Sequence, residues 1–101
     1  MRRITEAAFG EKVKNDLFEL GPICWSEKIQ QVGIRGTPDR LSCIAGKFVA
    51  LELKRDSTEK PTALQILKLE RINLAGGLGL RVDPSNWDEA YERIKKLAKG
   101  G

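Results

Sequence analysis

The 101-residue chain contains no histidine, and this absence excludes several classes of enzyme at once. Ser-His-Asp hydrolases, Cys-His nucleophile enzymes, HExxH metalloproteases and histidine-metal nucleases all need an imidazole. The two cysteines, Cys24 and Cys43, cannot by themselves complete a structural zinc site, which takes four nitrogen or sulfur ligands. Any bound metal would therefore be held by oxygen ligands, which favours hard ions such as Mg²⁺ or Mn²⁺.

The chain also lacks any apolar run of the roughly 20 residues that a membrane-spanning helix needs. Its N-terminal stretch, MRRITEAAFGEK, has no apolar segment of the kind that marks a secretory signal. We therefore expect a cytoplasmic protein with no membrane partner. The 101 residues suit a single domain, 1–101, and the formal net charge of +4 is compatible with a polyanionic partner without establishing one.

Apolar periodicity and turn residues predict an α/β domain in the order α-β-β-β-α-β-α. The predicted helices span about 5–20, 62–75 and 86–99, and the predicted strands span about 23–30, 39–45, 48–54 and 78–82. The middle helix, capped by Thr62, is apolar around most of its circumference, so we expect it to be buried. Its Gln65 shares one face with Leu69 and Ile72, which puts a polar amide near the core.

The first predicted helix carries a carboxylate on its apolar face. Phe9, Val13 and Leu17 recur at helical spacing, and at ~100° per residue Glu6 falls in the same arc. A carboxylate on a core-facing arc is costly unless a cation lies near it. The periodicity thus marks Glu6 as misplaced for a plain core helix.

Three charged residues interrupt an otherwise core-like hairpin, DRLSCIAGKFVALELK. Side chains alternate along FVALELK, so Glu52 and Lys54 share one face of the strand. If Gly46-Lys47 forms the loop, Asp39 pairs opposite Lys54 at about 5 Å and lies diagonal to Glu52 at about 7–8 Å. The inference depends on that register, because a slip of one residue would move a side chain to the other face.

Two carboxylates this close repel one another unless a proton or a cation lies between them. A divalent ion such as Mg²⁺ binds one or two carboxylates and is completed by waters and phosphate oxygens, and an adjacent lysine can orient or help deprotonate an attacking water. The simpler alternative is a cross-strand salt bridge between Asp39 and Lys54, which is worth little at an exposed site. The combination of all three charged residues favours the metal site.

The motifs resemble those of the PD-(D/E)XK nuclease superfamily, and more narrowly those of the small stand-alone VRR-NUC nucleases of phages and bacteria. The matching stretches extend over nearly the whole chain and are EAAFGEKV, GIRGTPDRL, GKFVALELKR, ALQ, and AGG followed by VDPSNWDE. The resemblance implies a restriction-endonuclease-like core, with a mixed four-stranded sheet flanked by helices. It also implies a Mg²⁺-dependent nuclease in which Mn²⁺ can substitute.

The resemblance assigns catalytic roles to Glu6, Asp39, Glu52, Lys54 and Gln65. It implies that Asp39 and Glu52 bind the metal together with the backbone carbonyl of Leu53, with Glu6 as an optional further ligand. Lys54 would handle the attacking water, and Gln65 would brace that lysine or the metal shell.

The resemblance also suggests a substrate and an assembly. Basic residues that could contact a DNA backbone are Arg2, Arg3, Lys28, Arg35, Arg40 and Arg55. Nucleases of this type resemble Holliday-junction resolvases, so we expect a DNA endonuclease that prefers branched DNA and acts as a homodimer. Two alternatives stay open, a non-catalytic DNA-binding or assembly module with the same fold and a nuclease that cleaves RNA. The sequence does not distinguish junction, flap and linear substrates, nor one metal ion from two.

Overall fold

The helices and strands follow one another in the predicted order. The computed structural model describes residues 4–30 and 34–99; Arg2 and Arg3, two of the expected DNA contacts, lie outside the described residues. The helices are α1 (Glu6–Phe18), α2 (Ala63–Leu74) and α3 (Trp87–Ala98). The strands are β1 (Cys24–Lys28), β2 (Arg40–Ile44), β3 (Lys47–Leu53) and β4 (Leu78–Val82). None of the described helices is long and apolar enough to cross a membrane.

The strands form one mixed sheet in the order β1-β2-β3-β4, which confirms the predicted α/β architecture. β1, β2 and β3 pair antiparallel, and β4 joins β3 in parallel. Parallel pairing needs a crossover between the two strands, and α2 provides it. The main core lies between one face of the sheet and helices α1 and α3; its buried side chains are Phe9, Val13, Leu17, Ile44, Val49, Leu51, Val82, Trp87, Ala90 and Ile94.

The first turn of α1 lies at the margin of this core. Thr5 caps the helix by accepting a hydrogen bond from a backbone amide three residues on, at 3.0 Å. Phe9, Val13 and Leu17 are buried, as their spacing predicts. Glu6 is exposed rather than core-facing, because the core begins one helical turn later, at Phe9. A carboxylate in the first turn is also favoured by the helix dipole.

The β2–β3 hairpin turns at Ala45-Gly46, one residue earlier than the expected Gly46-Lys47 loop. Ala45 and Gly46 have φ angles of +50° and +84°. A two-residue type I′ turn requires a positive φ at both of its central residues, and its twist matches that of the flanking strands. The tight turn is therefore formed even though Ala45 must adopt a conformation that favours glycine.

The earlier turn shifts the pairing of the two strands by two residues. Arg40 pairs with Leu51, and the same register continues to Asp39 opposite Glu52. The predicted pairing of Asp39 with Lys54 is therefore wrong. Because a shift of two residues preserves the alternation of faces, all three charged side chains still belong to one face of the hairpin.

Helix α2 is largely exposed, with Leu69 as its one buried residue, so the prediction that it is buried is wrong. Leu69 is buried on the opposite face of the sheet from α1, where a Cβ added at Gly79 would lie 3.0 Å from the Leu69 carbonyl oxygen. Leu64, Leu67 and Leu74 point away from the sheet and are 37%, 48% and 89% exposed. A single sheet can cover only one side of a helix, whatever the apolar content of the other side.

Helices α1 and α3 are fastened together through Asp16. The buried Trp87 donates from Nε1 to Asp16 Oδ2 at 2.7 Å, and the Tyr91 hydroxyl donates to the Asp16 carbonyl at 2.6 Å. The Trp87 and Tyr91 rings stack with centroids 5.6 Å apart. These contacts fix the position of α1 over the sheet, and with it the position of Glu6.

We expect Ala45→Asn to raise the free energy of unfolding by about 0.5–1 kcal/mol, because asparagine tolerates a positive φ and Asn-Gly suits a type I′ turn. Ala45→Val should lower the free energy of unfolding, because a β-branched side chain is strained at that φ. Urea denaturation of the wild type and both variants measures the two effects. Equal stability of the two variants would contradict the assigned turn.

Candidate active site

Asp39 lies immediately before β2, where β1, β2 and β3 come together. Its backbone carbonyl accepts a hydrogen bond from the Ile29 amide at 2.8 Å, which continues the β1–β2 ladder. Its Oδ2 accepts a hydrogen bond from the Leu53 amide at 2.7 Å, across the hairpin. These two bonds hold the half-buried Asp39 carboxylate at the end of β3.

Glu52 is buried beside Asp39, with only 2% of its surface exposed. Its Oε2 accepts a hydrogen bond from Gln65 Nε2 at 2.7 Å and lies 3.4 Å from Lys54 Nζ. Its Oε1 is buried and has no hydrogen-bond partner among the described residues. A buried carboxylate oxygen without a partner is costly, so this atom marks a position where a cation or a donor would be stabilising.

Gln65 of α2 connects Lys54 to Glu52. Its Oε1 accepts a hydrogen bond from Lys54 Nζ at 3.1 Å, while its Nε2 donates to Glu52. A capping box fixes this amide, because Thr62 Oγ1 accepts from the Gln65 backbone amide and Gln65 Oε1 accepts from the Thr62 backbone amide. Lys54 is 8% exposed, and its own amide donates to the Val82 carbonyl of β4. The structure thus brings Glu52, Lys54 and Gln65 into one network.

Burial raises the pKa of the Glu52 carboxyl from its ordinary 4.5 to about 7. The charge of the neighbouring Asp39 carboxylate raises this pKa further, and the Lys54 ammonium opposes the increase without cancelling it. Near neutral pH, Glu52 therefore exchanges between its charged and protonated forms. A cation placed beside the two carboxylates would favour the charged form of both.

The donor atoms at this position suit a hard divalent cation. Asp39 and Glu52 supply carboxylate oxygens, and the backbone carbonyl of Leu53 is next to Glu52 in the chain. Mg²⁺ uses one or two carboxylates and completes its shell with water and phosphate oxygens, so the unpartnered Glu52 Oε1 fits it. Among residues 4–30 and 34–99, no group of three or more Asp, Glu or Cys side chains could hold a metal. Glu6 therefore does not join the other two acids in a cluster.

Glu6 lies instead in a cleft of about 1030 Å³ between α1 and β1. Asp39 and Leu53 line the same cleft. The five residues with expected catalytic roles thus divide into a hydrogen-bonded group on the α2 side, Glu52, Lys54 and Gln65, and Glu6 on the α1 side. Asp39 is common to the two groups, because its carboxylate lies close to Glu52 and because it lines the same cleft as Glu6.

Two of the expected DNA contacts, Lys28 and Arg40, line this cleft. Lys28 is exposed on β1, whereas Arg40 of β2 is 9% exposed. Arg35 is exposed in the loop before β2 and does not line the cleft. Arg55 is exposed after β3, where two acidic side chains of the following loop lie within 4.0 Å of its Nε. Arg40 therefore differs from the other three in being buried.

Sequence reasoning missed Ser26, which contacts Arg40, and Ser42, which donates to Ser26. Ser26 Oγ accepts a hydrogen bond from Arg40 Nη1 at 3.0 Å and another from Ser42 Oγ at 2.8 Å. Ser26 pairs with Ser42 in adjacent strands, so both belong to the sheet face that α1 covers. The signal in the sequence was a polar residue two positions from the apolar Cys24 in one strand and from Ile44 in the next, and therefore on the same apolar face of the sheet.

We expect Glu52→Gln to raise the free energy of unfolding of the metal-free protein by on the order of 1–3 kcal/mol near pH 8, and to change it little near pH 5. A carboxyl whose pKa is raised in the folded state makes the wild type lose stability as the pH rises from 4.5 to about 7. Glutamine cannot ionise, so the variant escapes this loss. Urea denaturation in EDTA at the two pH values measures the difference.

The exposed Glu70 of α2 provides the control for this measurement. Glu70→Gln removes the same charge from the surface and should leave the pH dependence of the wild type unchanged. An effect of Glu52→Gln that is equal at both pH values would contradict the assigned burial of its charge.

Comparison with solved structures gives evidence on the fold that does not depend on the roles of individual site residues. A solved structure described as a VRR_NUC domain matches with a TM-score of 0.62 and 22% sequence identity, over 94% of this chain and 96% of that chain. No family model matches the sequence, and no curated protein matches it. At this level of identity the likeness concerns the fold, which agrees with the resemblance of the motifs. The chain therefore has the nuclease-type α/β fold of a VRR-NUC domain.

Proposed function

We propose that this protein is a Mg²⁺-dependent DNA endonuclease that hydrolyses phosphodiester bonds and prefers branched DNA. One observation carries the proposal, which is the buried Glu52 carboxylate with an unpartnered Oε1 beside Asp39 and Lys54. A buried ion pair that serves only stability needs hydrogen bonds to its remaining lone pairs. In the pair of Glu52 with Lys54, the Oε1 atom of Glu52 has no such bond among the described residues. The arrangement is better suited to a cation and a phosphate.

The residues of the site would divide the work of hydrolysis. Asp39, Glu52 and the carbonyl of Leu53 would hold the cation, which when bound stabilises negative charge on the phosphodiester. The Lys54 ammonium, positioned by Gln65 Oε1 at 3.1 Å, would orient the attacking water and stabilise charge on the phosphate. In the hydrolysis a water oxygen would bond to phosphorus and give up one proton, one P–O ester bond would break, and the leaving oxygen would take up a proton, so that the water supplies OH to phosphorus and H to the leaving group.

Two further parts of the proposal have separate support. The nuclease class is supported by the fold shared with the VRR_NUC domain. The preference for branched DNA rests on the resemblance of the motifs to nucleases that are similar to Holliday-junction resolvases. Mn²⁺ should replace Mg²⁺ because both ions favour carboxylate, carbonyl and water ligands.

Cleavage of a labelled four-way junction, with linear duplex of the same sequence alongside, tests the proposal. We expect cleavage in Mg²⁺ or Mn²⁺ but not in EDTA, with the junction cut faster than the duplex. Asp39→Asn and Lys54→Met should each lower the cleavage rate by about 100-fold or more, because the first removes a charged ligand of the cation and the second removes a positive charge beside the reacting phosphate. Lys96→Met, which removes an exposed charge from α3, is the matched control and should cut like the wild type.

Circular dichroism of each variant separates loss of chemistry from loss of the fold. A wild type that binds the junction but cuts no DNA in either metal would contradict the catalytic proposal and favour the non-catalytic binding or assembly module. A matched RNA junction, which differs from the DNA at the 2′-hydroxyl, then tests the remaining alternative of an RNA-directed nuclease.

We further propose that the protein acts as a homodimer, so that two sites related by a two-fold axis reach two strands. The outward side of α2 supports this assembly. Leu64, Leu67 and Leu74 are exposed there and fall within an arc of about 80°, which also contains the exposed Arg71. These leucines can pack against the same leucines of a second copy across a two-fold axis.

Leu67→Glu should weaken self-association by about tenfold or more, because it replaces an apolar contact between the two copies with a charged carboxylate. Sedimentation equilibrium of the wild type and the variant measures the dissociation constants. Ser57→Glu adds the same charge on the exposed loop before α2 and should leave association unchanged. A wild type that sediments as a monomer would contradict the homodimer.

A further inference from the structure

Arg81 of β4 occupies the strand position beside Glu52, yet its guanidinium binds other groups. The two residues pair in the parallel ladder between β3 and β4, on the sheet face that α2 covers. Arg81 Nη1 forms an ion pair with Asp83. Over residues 4–30 and 34–99 there is no ion pair between Arg81 and Glu52. An arginine this close to a buried carboxylate that does not neutralise it needs another explanation.

Both terminal nitrogens of Arg81 have well-defined partners. Nη2 donates to the Asp56 carbonyl at 2.6 Å and to the Glu59 carbonyl at 2.7 Å, in the loop between β3 and α2. Asp83, which is 1% exposed, pairs with Nη1 and accepts hydrogen bonds from the amide and the hydroxyl of Ser85. Because the guanidinium is planar and rigid, an anchor on one nitrogen fixes the direction of the other. Arg81 therefore ties this loop to β4.

The loop that Arg81 binds connects the two sides of the polar network at the candidate active site. Lys54 directly follows β3, and Gln65 lies in the first turn of α2, so the conformation of residues 55–61 decides how the two side chains meet. The Asp56 carboxylate folds this loop by accepting hydrogen bonds from two backbone amides and a hydroxyl farther along it. Two loop carbonyls thereby converge on Nη2 of Arg81.

Burial alone holds the first turn of α2 weakly. Leu69 is the one buried residue of the helix, and the three residues before Gln65 are exposed. The far end of α2 has its own tie to β4, because the Asn73 side chain accepts from the Gly79 amide at 2.8 Å and donates to the Gly79 carbonyl at 3.2 Å. β4 thus holds α2 at one end through Asn73, and at the other through the contacts of Arg81 with the preceding loop.

We propose that Arg81 is a positioning residue of the candidate active site. By holding two carbonyls of the loop it sets where α2 begins, and with it where the Gln65 amide meets Lys54 and Glu52. Gln65 contacts these two side chains at 3.1 and 2.7 Å, so a shift of about 1 Å would break one of the bonds. This inference rests on the proposed nuclease function and adds to it a residue on which the orientation of Lys54 depends.

Hydrogen exchange of the Gln65 side-chain amide tests the inference without metal or substrate. In ¹⁵N-labelled protein in EDTA, the Nε2 protons are identified by their absence from Gln65→Leu, and their exchange with water is measured at one pH. Arg81→Met should speed this exchange by about tenfold, because the amide then leaves Glu52 more often. Asn73→Ala removes the tie at the other end of α2 and is the matched control, which should leave the exchange unchanged.

A double-mutant cycle on the cleavage rate tests the same coupling in the reaction. We expect Arg81→Met to lower kcat by about tenfold with little change in KM, and to have no further effect in the Gln65→Leu protein, because Arg81 acts through Gln65. Arg81→Met leaves the buried Asp83 carboxylate without its ion pair, which is destabilising. If circular dichroism shows that this variant does not fold, the double variant Arg81→Met with Asp83→Asn takes its place in both experiments.

Equal exchange of the Gln65 amide in wild type and Arg81→Met, or equal acceleration by Asn73→Ala, would overturn the inference and leave Arg81 as a residue of general stability. Effects of Arg81→Met and Gln65→Leu on kcat that simply multiply would also overturn it. The exchange measurement needs no cleavage. Failure of the nuclease proposal is therefore read separately, as a wild type that cuts no nucleic acid in Mg²⁺ or Mn²⁺.

Discussion

The burial of one carboxylate beside another is energetically unfavourable, and the surrounding hydrogen bonds compensate for it only in part. Glu52 is enclosed with Asp39 as its neighbour, and both burial and that neighbouring charge disfavour its ionised form. Lys54 and Gln65 stabilise one of its oxygens, and the capping box of α2 fixes Gln65 in turn. The second oxygen is left without a partner among the described residues. The fold thus provides a preorganised half of a polar site, which a cation can complete.

The two-residue turn between β2 and β3 determines which charges meet. A turn at Ala45-Gly46 puts Asp39 opposite Glu52, whereas a loop one residue later would have put it opposite Lys54. The difference matters chemically, because directly opposed carboxylates repel, while an opposed acid and amine would form an ordinary ion pair. The positive φ of Ala45 is therefore connected to the electrostatics of a site at the other end of the hairpin.

Because side chains alternate along a strand, the consecutive residues Asp39 and Arg40 belong to opposite faces of the sheet. Asp39 belongs to the face with Glu52 and Lys54, and the next residue, Arg40, belongs to the face that α1 covers. Helix α1 contributes to this arrangement because its first turn extends past the core, and its contacts with α3 through Asp16 keep it there.

Local sequence determined the order of the elements, the strand at 78–82 and the helix caps Thr5 and Thr62. It also determined that Glu52 and Lys54 share one face of their strand. These features follow from the sequence because periodicity and capping act within a few residues. The motifs around Asp39, Glu52 and Lys54 indicated the nuclease-type fold, which the structural comparison supports. Only the tertiary structure decided the hairpin register, the exposure of Glu6 and of the outer side of α2, and the burial of Arg40 over Ser26. These features depend on where one turn closes and on how much of each helix a four-stranded sheet can cover. Both are set by packing between residues that are distant in the chain.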